Sequence, residues 1–84
     1  MKNRKLLKKL LASPANARFD DIRRLVEAFG FRLERVSGSH HVFTHPGIDE
    51  LLNLQEVRGE AKPYQVRQFL RVVERYNLRL ESDA

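Results

Sequence analysis

Cysteine is absent from the 84 residues, which removes disulfides, zinc ribbons and thiol catalysis and fits a reducing cytoplasm. Long apolar runs are absent as well, the largest being pairs such as Leu10-Leu11 set among lysines. A membrane span needs about 20 apolar residues, and nothing resembles a secretory leader. The expectation is therefore a cytoplasmic chain with no membrane partner. Internal repeats, linkers and low-complexity stretches are lacking too, so residues 1–84 read as a single domain. Acidic residues are in short supply: eleven Asp and Glu face sixteen Lys and Arg, giving a net +5 and a pI near 10.1. In so small a domain that imbalance points to a polyanionic partner, with nucleic acid foremost.

What is present falls into short periodic segments. Residues 1–14 form a basic amphipathic extension, with Leu6, Leu7, Leu10 and Leu11 expected on one helical face and lysines opposite. Ser13-Pro14 ends it, because the residue before proline avoids helical backbone angles. A second helix is expected from Phe19 to Phe29, through Ile22, Leu25 and Val26, with Asp20 and Asp21 in its first turn and Gly30 as its stop. Phe31 and Leu33 alternate with Arg32 and Glu34 as in a strand. Ser37-Gly38-Ser39 is turn chemistry, and His40 to His45 make a second strand closed by Pro46-Gly47. Residues 50–57 are a third strand candidate and Gly59 to Lys62 a loop. Pro63 opens a last helix whose apolar face is Val66, Phe69, Leu70 and Val73, extended by Tyr76. Strands on short connections pair as antiparallel neighbours, so the fold class is α+β: a three-stranded antiparallel meander with helices on one face.

All three histidines fall within "SGSHHVFTHP", Ser37 to Pro46. Three roles compete: metal ligand, catalytic base, or ordinary strand residue. Successive strand side chains point to opposite faces, so His40 and His41 do not converge on one ion. His41 and His45 share a face but stand about 13 Å apart along an extended strand, too far for joint ligation. No metal site and no cofactor are expected. For catalysis one imidazole suffices, since histidine titrates near neutrality and serves as general acid or base. RNA offers a matching reaction, in which a base frees the 2′-oxygen to attack the adjacent phosphate and nearby cations stabilise the charge that builds there. His41 and His45 read as strand residues without chemistry; for His40 both readings stay open.

The segment "FGFRLERVSGSHHVFTHP" resembles the HicA family of toxin ribonucleases, the mRNA interferases of HicA–HicB toxin–antitoxin pairs. The resemblance rests on the helix through Phe29, Gly30-Phe31 opening the first strand, Gly38-Ser39-His40 in the turn and Val42-Phe43 in the second strand, and it covers residues 19–77. It implies a double-stranded-RNA-binding-domain-like fold, α-β-β-β-α, to which this chain adds an N-terminal helix. It implies a ribonuclease, RNA as substrate, a HicB-like antitoxin as protein partner, and His40 as the catalytic histidine. Gly38 would let the turn place that histidine, Ser39 would hold the turn or contact a phosphate, and Arg35, Lys62 and Arg67 are candidate RNA contacts. Each of the three cations reads equally as plain surface charge. The sequence departs from the family in having residues 1–17 ahead of the first shared helix, and in lacking the Val-Pro-x-His-like stretch that commonly follows the third strand. A non-catalytic RNA- or DNA-binding module of the same fold is the alternative function.

Overall fold

The structure is a computed structural model and describes residues 2–81. Helix α1, Lys2–Ala12, ends where Ser13 donates its N–H to the Lys9 carbonyl, one residue ahead of Pro14. Its buried line is Asn3, Leu6, Leu7 and Leu10, the i, i+3, i+4, i+7 set of one helical face. Leu11, expected on that face, is 59% exposed. α1 packs chiefly along α2, Phe19–Ala28, so only one narrow stripe is covered and Leu11 falls outside it. In α2, Phe19, Ile22, Leu25 and Val26 are buried, as is Phe29 just beyond it. Gly30, at φ 96°, then turns the chain into the sheet in a conformation only glycine adopts without strain.

Strands β1 (Arg32–Ser37), β2 (His40–Thr44) and β3 (Leu52–Val57) pair as an antiparallel meander, and a fourth strand, β4 (Glu60–Ala61), extends it in the order β1-β2-β3-β4. β4 occupies what reads in the sequence as a loop. The Arg58-Gly59 turn that makes it has both residues at positive φ, 53° and 79°, the type I′ geometry usually signalled by Asn-Gly or Asp-Gly. Its outer edge is covered: Ala61 donates to the Ala17 carbonyl and Phe19 to the Gly59 carbonyl, so the segment before α2 closes the sheet on that side.

Phe43, Leu52 and Leu54 point toward α2 and toward α3, Pro63–Arg75, and join Val66 and Phe69 in one buried cluster. Leu33 and Val36 share that side of the sheet but are 43% and 52% exposed, because β1 is the outer strand and the helices stop short of it. The register also slips within β1. Leu33 pairs with Phe43 but Arg35 with Val42, leaving Glu34 as the extra residue of a β-bulge and carrying Arg35 to the outer face.

α3 is rotated slightly from the expected phase. Val72 is buried whereas Leu70 and Val73 are half-buried, and Tyr76, 40% exposed, lies outside the face as the helix C-cap. The rotation is tied to Gln65. Its side chain is buried, and Oε1 accepts the Gln55 N–H of β3 at 2.7 Å, just where the two residues of β4 run out. A donor that would otherwise be buried unpaired is thereby satisfied.

Candidate active site on the open face of the sheet

With the helices on one side, the other face of the meander is open, and its rows can be read from the register. Ser37, His40 and Gln55 lie side by side across β1, β2 and β3; Arg35, Val42 and Asn53 form the next row; Arg32 and Thr44 the one after. Alternation places His40 outward and exposed, with Phe43 and His41 inward.

His40 opens β2 directly after the Gly38-Ser39 turn. Gly38 has φ 60° while Ser39 has no positive φ, the pattern of a type II′ hairpin, which favours glycine at its first central position. The turn is held from beneath. The Ser39 carbonyl accepts the Glu56 N–H at 3.0 Å and the Nδ1–H of His41 at 3.1 Å. His41 itself packs on Phe19, ring centroids 4.6 Å apart, so its imidazole braces the turn from the helix side. His45 is also spoken for: its ring meets Phe31 edge-on at 5.0 Å and its Nδ1 accepts the Gly47 N–H at 2.9 Å. The two histidines are structural in this fold, and the three imidazoles do not converge. Among the described residues no group of three His, Cys, Asp or Glu side chains is placed to hold a metal ion.

The Nδ1 of His40 lies 3.4 Å from Oδ1 of Asn53, its diagonal neighbour on β3. An amide oxygen only accepts, so this contact calls for an Nδ1–H donor, the tautomer in which Nε2 is the ring's acceptor. Asn53 is the neighbour of His40 that the sequence does not announce. Its signal is positional, since only the β2–β3 register reveals that it stands beside His40.

The other candidates are placed unequally. Arg35 is exposed on the same face, diagonal to His40 across the hairpin, where the bulge has put it. Lys62 is the half-buried N-cap of α3 and lines, with Val57, Arg58 and Pro63, a groove at the β3–β4 end of the sheet. Arg67 is exposed on α3, within the helix layer behind the sheet. The outward face therefore gathers an imidazole, an amide within reach of it and a neighbouring guanidinium across three strands of one sheet. That set can take up a proton and stabilise an anion next to it.

The family model of the HicA toxin of bacterial toxin–antitoxin systems matches residues 19–74, two thirds of the chain. The chain belongs to the HicA toxin family. No curated protein and no solved structure matches it. The HicA match takes in α2, the whole sheet and nearly all of α3, and so contains the hairpin, His40 and Asn53. It leaves out α1. The described fold, three helices with an antiparallel sheet of four strands, agrees with the double-stranded-RNA-binding-domain-like expectation for a HicA toxin and carries the extra N-terminal helix. No helix among the described residues is long and apolar enough to cross a membrane.

Proposed function

We propose that this HicA-family chain is an endoribonuclease toxin that cleaves mRNA without a metal ion, with His40 as the catalytic base and then acid. The observation that carries the proposal is His40 itself: a solvent-facing imidazole on a braced glycine turn, its Nδ1 against Asn53. Nε2 takes the proton of a ribose 2′-hydroxyl as the 2′-oxygen bonds to the adjacent phosphorus. The P–O5′ bond breaks, and the imidazolium returns that proton to the departing 5′-oxygen. The products are a 2′,3′-cyclic phosphate and a 5′-hydroxyl, and neither water nor metal enters the balance. Arg35, diagonal to His40, supplies positive charge to the phosphorane oxygens. Gly38 and Ser39 fix the turn, while Lys62 and Arg67 are assigned to more distant stretches of the RNA backbone. The chain acts in the cytoplasm as one domain and is held in check by a HicB-type antitoxin.

The test is expression in a bacterial host. The parent chain is expected to arrest growth and His40→Ala to permit it at equal protein level, with RNA from arrested cells bearing cyclic-phosphate ends. Equal toxicity of the two proteins would exclude His40 as the catalytic group.

A further inference from the structure

Helix α1 contains Lys2, Arg4, Lys5, Lys8 and Lys9 and no carboxylate, and the chain as a whole carries a net +5. Outside α1 the eleven remaining Lys and Arg are matched by eleven Asp and Glu. The entire charge excess of this basic protein thus sits on the one helix that lies outside the family match. The leucine face of α1 is turned inward, with Leu10 buried and Leu6 and Leu7 half-buried, which fixes the helix on the domain. Lys2, Lys5 and Lys9 recur at the spacing of one helical face, all exposed, and with Arg24 of α2 they line a shallow groove that also includes Leu6 and Asp21.

We infer that this lysine groove is a second RNA-binding surface, which grips the phosphate backbone without regard to sequence on the helix layer, away from the His40 face. The inference deepens the proposed function, since it takes RNA as the substrate. The chemistry of the groove selects the occupant. A membrane-lying helix needs its apolar face free, and here Leu6, Leu7 and Leu10 pack on the domain, which leaves Leu11 as the one exposed leucine of α1. A protein partner needs an apolar or aromatic anchor at the centre of its contact, and the groove offers only the half-buried Leu6. Four flexible cations facing one carboxylate suit a chain of phosphates, whose binding draws its strength from counterion release. The substrate would thus be captured by α1, and its exposed single-stranded part would reach the hairpin around the edge of the sheet. Each contact would raise the effective concentration of RNA at the other.

The measurement is the salt dependence of binding to a single-stranded oligouridylate, made in full-length protein carrying His40→Ala so that the probe survives. Replacing Lys2, Lys5 and Lys9 together by Gln should make the slope of log K against log salt shallower by about 2, at roughly 0.7 per phosphate released from a single strand. The melting temperature should stay unchanged, and the corresponding triple Arg variant should keep the parent slope. With His40 intact, the Gln variant should still cut a short oligonucleotide, so failure of this inference and failure of the catalytic reading are separable. An unchanged slope overturns the inference. So does a loss of binding to phosphatidylserine vesicles in the Gln variant while RNA binding is kept.

Discussion

His40 differs from its two neighbours in what surrounds it, not in what it is. His41 spends one ring nitrogen on the Ser39 carbonyl and packs its ring on Phe19; His45 spends one on the Gly47 N–H and packs its ring edge-on with Phe31. Among the described residues His40 has a single side-chain contact, from Nδ1 to Asn53, and is otherwise exposed. Asn53→Ala should therefore slow RNA cleavage by roughly tenfold, the worth of about one hydrogen bond, without lowering the melting temperature. Nitrogen NMR of the imidazole supplies a second readout: His40 should lose its preference for the Nδ1–H tautomer in Asn53→Ala. A tautomer ratio identical in the two proteins would remove Asn53 from the site. Of these features the sequence makes the separation of His40 from His41 legible through strand alternation alone. Asn53 is invisible to it, because a cross-strand neighbour thirteen positions away depends on register.

The elements follow their sequence signals wherever a breaker or a period is strong: Pro14, Gly30 and Pro63 bound the helices as expected, and Phe69 lies at the centre of the buried cluster. Phe69→Ala should cost roughly 3–5 kcal/mol, read from a chemical-denaturation curve; a change below about 1 kcal/mol, the scale of an ordinary surface substitution, would show that α3 packs in another phase. The signals that fail do so for physical reasons. Leu11, Leu33 and Val36 are apolar and periodic, yet exposed, because α1 is covered on one stripe and β1 lies outside the helices. β4 escapes notice because its turn is Arg58-Gly59, with an arginine in a left-handed conformation that favours glycine or asparagine. Arg58→Gly should relieve that strain and raise stability by about 1 kcal/mol. Destabilisation on the same scale would mean that the arginine side chain contributes more than its backbone costs.

At the scale of the whole molecule, the family match and the charge distribution divide the chain into two parts. Residues 19–74 carry the hairpin and the histidine, and α1 carries the excess charge. The division is legible in the sequence as a basic extension ahead of the first shared helix; that α1 docks by its leucines and leaves its lysines free of the core becomes evident only from packing. An open sheet face with a single unguarded imidazole also predicts how the toxin is restrained. A HicB-type antitoxin encoded beside this chain should cover His40 and present carboxylates to Arg32 and Arg35 on the same face, since opposite charge speeds encounter and fixes orientation. Co-expression followed by pull-down should recover the pair, and bound antitoxin should protect β1 and β2 amides from hydrogen exchange. Protection confined to α1 would place the partner elsewhere. The catalytic claim is met most directly by one assay: purified protein and single-stranded RNA in EDTA, parent against His40→Ala. The account predicts cleavage by the parent with 2′,3′-cyclic phosphate ends, and a loss of at least about 100-fold in the variant, the least that a general acid–base group contributes. Cleavage that EDTA abolishes, or that persists at the parent rate without His40, would contradict it.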